Sequence, residues 1–498
     1  MVWLVVALLL LWVAWGPVVP LAAALALCVP RIRWWVQDRV HVGRRVVGWV
    51  TGAAVALVAL VLVVPDGWLP APPAPGVWAT PSYVGRPAVA RIPGASGDVG
   101  NPHLAPASST RSGPFGRQPE VETSWFGLQR CGQLELTSTD RLVALCTDRS
   151  GPSLRLVDPD SMRPTTTHDL PDTAGDCAGD AFYLDATDRA VVATTDRQVV
   201  AVRTASAKGA AALEPDATWD LRPYVPFGDC LVALTPDWAG RVWWASQQGL
   251  VGTIAPDSGQ VRVLDLGEEV RRGIVADEGG VHVVTDTALH RLAATPDGTP
   301  QPVWRTAYDG ASGSAPVLLD GGVVAVTDSS DDRTGVLFVA GEDGRVICRQ
   351  PVFEAGESAT TSDLAPLGTG VVVTNNHGYA SPRSTLLGFT SSHGIARVDL
   401  VEGACVERWS SDAVAPGSGV TASRPQGLLY AATKRPSVLG VSAWYLTAID
   451  AETGRSMWSV RTGTGLLSGS DRSRVLLGAS GTAWLGTLSG LVRVSDRD

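Results

Sequence analysis

At 498 residues, 45% hydrophobic and 18% charged, the chain is too long and too apolar for a disordered tail, and its 54 Gly and 34 Pro exclude a helical bundle. The net charge of −9 is unevenly spread: residues 1–64 carry five Arg and one Asp, which leaves 35 basic and 48 acidic residues in the remainder. That acidity excludes nucleic acid as a partner and argues against an anionic lipid surface for the main body. Only Lys208 and Lys434 are lysines among the 40 basic residues, the usage of a GC-rich bacterial genome.

The chain opens with 30 residues that include no charged side chain, and Val2–Val29 is almost continuously apolar. At about 1.5 Å per residue such a helix spans a hydrocarbon core of about 30 Å, with Gly16, Pro17 and Pro20 expected to kink it. A second apolar run covers Val46–Val64. Between them Arg31, Arg33, Asp38, Arg39, His41, Arg44 and Arg45 form a short basic loop, which the positive-inside rule keeps in the cytoplasm. Residues 1–64 are therefore read as a membrane anchor of two transmembrane helices, about 2–29 and 46–64. The body then lies on the extracytoplasmic side of a bacterial cell membrane. The rival reading is a signal peptide with Val46–Val64 as its apolar core.

From Pro65 to Pro119 there are twelve prolines, a composition that makes a semi-rigid spacer or a segment wrapped on the following domain. Residues 120–498 then repeat one unit of about 40–55 residues: an apolar strand, a polar turn often reading Thr-Asp, a second strand, and a turn of the Asp-x-x-Ser/Thr-Gly type. The first strand and turn are clearest at Leu142–Asp148, Val191–Asp196, Val281–Asp286, Val323–Asp328 and Val371–Asn375. Val242–Gln247, Leu428–Lys434 and Ala483–Leu488 fit more loosely. The second turn recurs near Asp158, Asp257, Asp297, Asp343, Glu402 and Asp450, and is degenerate around Ser206–Asp216. The pattern implies an all-β, eight-bladed β-propeller, with seven blades the alternative. The last unit, Thr482–Ser495, stops short of a full blade, so Val121–Phe126 is expected to supply its missing outer strand.

The segment Ala448-Ile449-Asp450-Ala451-Glu452-Thr453-Gly454-Arg455-Ser456-Met457-Trp458 resembles the A-x-D-x-x-T-G-x-x-x-W motif of pyrroloquinoline-quinone-type propeller repeats. The resemblance implies that the Asp-x-x-Thr-Gly stretch makes a hairpin turn and that the Trp packs between blades, with Trp219, Trp304 and Trp409 in similar positions. Region 370–484 is also similar to uncharacterised bacterial propeller proteins with an Asn-Asn-aromatic-Gly-Tyr element, in which His377 replaces the aromatic residue. Quinone-dependent enzymes of the first family use adjacent cysteines; this chain has no Cys-Cys dipeptide, so pyrroloquinoline quinone is not expected as a cofactor.

Cys28 falls in the first apolar run. The other six cysteines lie in a potentially oxidising compartment, and the repeat register pairs Cys131 with Cys146, Cys177 with Cys230 and Cys348 with Cys405. No zinc spacing, nucleotide loop, nucleophile elbow or haem motif occurs. The best ligand-binding candidates are Asn375, Asn376, His377 and Tyr379, in an excursion long enough to form a site, although Asn and His equally serve turns. Asp148, Asp196, Asp286 and Asp328 recur at one point of the unit. They are expected to crowd one end of a central channel, where calcium is the metal to consider or a basic partner segment could bind; no other cofactor is expected. The resulting expectation is a membrane-anchored, non-enzymatic scaffold or binding protein for a protein or cell-envelope partner. The alternative is a metal-dependent hydrolase or oxidoreductase with its site at the channel mouth.

Overall fold

The computed structural model describes residues 2–39, 48–49, 51–53, 55–56, 64–72, 75–89, 100–173, 177, 181–329, 332–437, 439–471 and 473–497. From Pro119 onward the chain forms eight antiparallel sheets, each four strands deep, arranged as the eight blades of a β-propeller. In chain order they cover residues 130–169, 182–220, 231–265, 270–307, 317–351, 365–411, 420–464 and 476–496. The eight apolar segments picked out by the repeat are the second strands of these blades, and the Asp-x-x-Ser/Thr-Gly turns join third strands to fourth.

A second strand is almost wholly buried because both of its faces meet neighbouring blades. Leu142, Ala144 and Cys146 face the core shared with the eighth blade, whereas Val143 and Leu145 face the core shared with the second. Val323 and Ala325 alternate with Val324 and Val326 in the same way. The period of two that marks a strand thus divides its side chains between two different cores. Among the described residues there are eight such clusters, one in each interface between consecutive blades.

The outer edge of several interfaces is pinned by tryptophan. Trp409, on the fourth strand of blade six, donates from Nε1 to the Ala451 carbonyl at 3.0 Å and lies over Gly454 in the turn of blade seven. A Cβ at Gly454 would come within 2.5 Å of that indole, and its φ of +69° is itself a glycine conformation. Trp304 repeats the arrangement, donating to Gly341 O at 2.9 Å over Gly344, and Trp219 approaches Gly259.

The ring is closed by the strand Pro119–Trp125, which pairs along its whole length with Gly490–Asp496 as the outer strand of the eighth blade. Here the repeat's turn is rebuilt from both ends of the domain. Asp450 Oδ1 accepts the Thr453 amide at 2.9 Å in the ordinary turn; Asp496 accepts the Phe115 and Gly116 amides at 2.6 and 2.9 Å. Trp458 covers Gly116 as Trp409 covers Gly454.

The segment ahead of this strand lies along the propeller. Tyr83–Gly85 adds a fifth strand to blade seven, against Trp458–Val460. Residues 101–113 then cross the face that carries the first-to-second strand turns. Asn101 donates to Pro236 O, Leu104 bridges Asp185, the Ser108 hydroxyl accepts the Leu477 amide and Gly113 bonds Gln426.

The first apolar run is not one helix. It divides into α1 (Val2–Trp15) and α2 (Val18–Leu27) at Gly16–Pro17, followed by α3 (Pro30–Arg39). Among the described residues no single helix is long and apolar enough to cross a membrane, although α2 with α3, bent by 94°, qualifies as a broken pair. The second expected span, 46–64, lies mostly outside the described residues. The Gly16 break rests against the propeller: Gly76 and Trp78 amides donate to Val13 and Ala14 carbonyls, and a Cβ on Gly16 would strike Val441.

All three disulfides form as the register required: Cys131–Cys146 within blade one, Cys177–Cys230 between the connections entering blades two and three, and Cys348–Cys405 between the outer strands of blades five and six. Non-reducing peptide mapping should recover these three linkages. Loop entropy makes the loss of Cys177–Cys230, separated by 53 residues, cost about 4 kcal/mol, against about 3 kcal/mol for Cys131–Cys146, separated by 15. The rebuilt turn is tested by glycine substitution. Gly116→Ala and Gly454→Ala should each destabilise by about 2–4 kcal/mol in urea titrations. Gly209→Ala, also at positive φ but in open space, should cost only about 1 kcal/mol.

Candidate functional site

Strand direction places the second-to-third strand turns and the connections between blades on one face of the ring, opposite the face crossed by residues 101–113. Asp148, Asp196, Asp286, Asp328 and the 375–379 excursion all belong to this connection face.

The individual side chains are committed differently from one another. Asp148 accepts the amide and hydroxyl of Ser150 in its own turn, and Asp196 accepts the Thr194 hydroxyl. Asp328 is buried in a bidentate pair with Arg349, with contacts of 2.8–3.0 Å. Asp286 has a buried Oδ1 without a hydrogen-bond partner, and its charge adds to the burial that raises the pKa of Tyr308. Among the described residues no group of three or more His, Cys, Asp or Glu is placed to hold a metal ion, so these four carboxylates do not converge into a cation cage.

Asn375 and Asn376 are both 2% exposed and are spent on backbone. Asn375 accepts the Ala359 and His377 amides and donates to the carbonyls of Glu357 and His393. Asn376 accepts the Thr361 amide at 2.9 Å and donates to Ala415 O at 3.0 Å. They pin the connections entering blades six and seven to the excursion. His377 meets the Ser392 hydroxyl through Nδ1 at 3.2 Å.

Tyr379 reaches further. Its hydroxyl donates to Asp471 Oδ1 at 2.9 Å, and the other oxygen of Asp471 meets Arg130 Nη1 at 3.3 Å. Tyr379 comes from blade six, Asp471 from the connection into blade eight and Arg130 from the first strand of blade one. A few residues on, Arg474 pairs with Asp363, which also accepts the Ala315 amide at 3.1 Å, so that one carboxylate ties the entries to blades five, six and eight. These first-strand entries surround the ring axis, and the two chains of polar contact lie at the mouth of the central channel.

Charge along the axis is finely divided. Burial works to raise Asp363, but Arg474, the Ala315 amide and Arg272 hold its carboxyl below the ordinary value, while Asp363 in turn raises Arg474. Glu135, on the first strand of blade one, behaves in the opposite sense. Burial pushes it up to about 7 despite the opposing fields of Arg474 and Arg111. The mouth therefore offers guanidinium and carboxylate groups side by side, and further along the axis, toward the opposite face, one carboxyl is poised near neutrality.

The rest of the excursion, Pro382–Gly388 and Phe389, is held from below by Lys434. Its ammonium is buried and donates to Thr385 O at 2.7 Å and to Phe389 O, while Ser442 Oγ donates to the same Thr385 carbonyl. Burial lowers this lysine to about 8. Neither this lysine nor the Asp471, Asp363 and Glu135 contacts were singled out by sequence. The available signal was Lys434, one of two lysines in the chain, at the end of a strand otherwise apolar from Leu428 to Ala432.

No protein-family model matches the chain. It is 26% identical over 326 residues to an uncharacterised protein of Archaeoglobus fulgidus, an alignment covering 55% of this chain and 63% of the relative's length. Among solved structures it is similar to a catalytically inactive virginiamycin B lyase from Staphylococcus aureus with quinupristin, at 8% identity and TM-score 0.44, over 76% of this chain and 99% of the other. It is also similar to the WD40 repeats of RRP9, at 11% identity and TM-score 0.45, over 70% and 99% of the two chains.

The titration of Glu135 has a definite sign. Its folded-state pKa lies above the ordinary 4.5, so the folded state holds a proton that the unfolded chain releases, and stability falls as pH rises from 4.5 to about 7. Glu135→Gln should leave urea stability unchanged at pH 4.5 and raise it at pH 8. The gain should be about 1 kcal/mol once water in the channel is allowed for.

Proposed function

We propose that the protein is a membrane-anchored, extracytoplasmic binding protein that recognises a protein or cell-envelope ligand at the connection-face mouth of its propeller. The observation that carries this reading is the mouth itself. Tyr379 and Asp363 of blade six, Asp471 and Arg474 of the entry to blade eight, and Arg130 of blade one present donors and acceptors in fixed positions around one axis. Such a rigid, alternating surface suits recognition of a polar group that both donates and accepts. Membrane attachment is supported by the helices. Leu8, Leu9, Leu10, Leu21 and Leu25 stay exposed, and apolar helices beside a complete core call for an apolar solvent. Trp34 and Trp35 on α3, among Arg31, Arg33 and Arg39, have the composition of a membrane interface. The two-span topology, with 46–64 as the returning helix, follows from the basic loop. The Trp-on-Gly packing at Gly454, Gly344 and Gly116 supports a pyrroloquinoline-quinone-type repeat used without the quinone.

Two measurements test this. A reporter fused after Asp498 should be active only outside the cytoplasm; cytoplasmic activity overturns the localisation. A photo-crosslinking phenylalanine analogue at position 379, in cells, should give a discrete adduct that Arg474→Asp reduces at least tenfold. Oxidation of alcohols or sugars by the protein supplied with the quinone and calcium would refute the binding reading.

A further inference from the structure

Next to the mouth, the excursion of blade six exposes three large apolar side chains in succession: Leu386 at 41%, Leu387 at 64% and Phe389 at 67%. A mobile loop could turn such residues inward, but this one is fixed. Lys434 and Ser442 hold the Thr385 carbonyl from beneath, and Lys434 also holds that of Phe389. The Gly388 amide donates to Ser442 Oγ at 3.3 Å, and Ser437 N donates to Gly388 O at 3.2 Å. Leu387 itself sits at φ +53°, a left-handed conformation that a leucine disfavours. A buried lysine and a strained leucine thus keep apolar side chains in contact with solvent.

What lies beside them is the break in the N-terminal helices. A Cβ on Gly440 would lie 3.5 Å from Pro17 and 3.7 Å from the Leu387 carbonyl, so the loop and the α1–α2 junction flank the same residue. The neighbouring Leu439 lines an apolar cleft of about 440 Å³ with Leu8, Leu11, Trp15, Val18, Val19 and alanines of α2. The exposed apolar helices and the loop that ends at Phe389 therefore lie on either side of Gly440. In an ectodomain with an excess of acidic residues, the two loops involved, 380–393 and 435–442, contain Arg383 and Arg435 and no acid.

We infer that Leu386, Leu387 and Phe389 insert into the outer boundary of the lipid bilayer, forming a second membrane contact that sets the tilt of the propeller. The apolar side chains enter the acyl region and Arg383 and Arg435 meet the headgroup phosphates, the arrangement of a monotopic contact. This rests on the anchoring proposed above, and the experiment separates the two. The full chain, with Cys28→Ser, is reconstituted in phosphatidylcholine–phosphatidylglycerol vesicles and spin-labelled singly through Leu387→Cys, Phe389→Cys, Leu21→Cys or Ala207→Cys. Collisions with oxygen and with a water-soluble nickel complex are then compared. The labels at 387 and 389 should favour oxygen by at least threefold over the label at 207, as should the label at 21. If 387 and 389 are open to nickel while 21 is in lipid, the second contact is refuted and the anchor stands. If 21 is also open to nickel, both fail. Labels at 387 and 389 shielded from both reagents would mean that protein covers the loop, which also overturns the proposal. Two label sites guard against distortion at the positive φ of Leu387.

Discussion

Everything in this molecule depends on the fact that a blade has two apolar faces and can bury neither alone. Because successive side chains of Leu142–Cys146 or Val323–Val326 point into different clusters, no blade owns a core; each core belongs to a pair. Such an array is stable only when the last blade meets the first. The end that closes it is treated accordingly. Asp496 takes the part of the turn aspartate and Gly116 that of the turn glycine, so the eighth blade presents to Trp458 the same surface that other blades present to Trp304 and Trp409. Closure reproduces the repeat's chemistry from residues that are not adjacent in sequence.

The same geometry explains where polarity collects. Blade interfaces are largely apolar, so many of the charged side chains on the first strands and their approaches collect at the axis. Arg130, Glu135, Asp363, Asp471 and Arg474 do so; Arg130 pairs with Asp471 and Arg474 with Asp363 across blades because a narrow axis brings distant connections together, while Glu135 feels only the field of Arg474 and Arg111. The pairing holds Asp363 ionised against its burial, while Glu135, with weaker compensation, is left near neutrality. The mouth is thus a patterned surface of both signs; an acidic ring was the expectation from the recurring Thr-Asp turns.

Architecture was legible because the signals that specify it are local. Second strands are apolar on both faces, the turns use Asp and Gly at fixed offsets, and cysteines at equivalent points of successive units are brought together by the repeat. Even the closing strand followed from the incomplete last unit. The site was less legible. Asn375 and Asn376 stand out as unusual residues in a long excursion, yet their amides are consumed by the backbone groups that such an excursion leaves over. The pairs at the mouth join residues up to 341 positions apart, such as Arg130 and Asp471, and no spacing rule links them. The first apolar run has the hydropathy of one span, but Gly16 and Pro17 break the hydrogen-bond ladder, and the propeller receives the break.

The closing strand also fixes an order of events during synthesis. Glu122 leaves the ribosome 371 residues ahead of Arg493, the residue it pairs with. At roughly 5–20 residues per second, Pro119–Trp125 waits tens of seconds as an unpaired edge while the other blades are made. During that interval the nascent ring is an open stack with an apolar face exposed at each end, vulnerable to joining a second nascent chain. Attachment of the preceding residues to a membrane would hold the waiting strand at a fixed place. The final strand would then search near a tethered partner instead of through bulk solution, and the correct closure would gain a concentration advantage over intermolecular exchange.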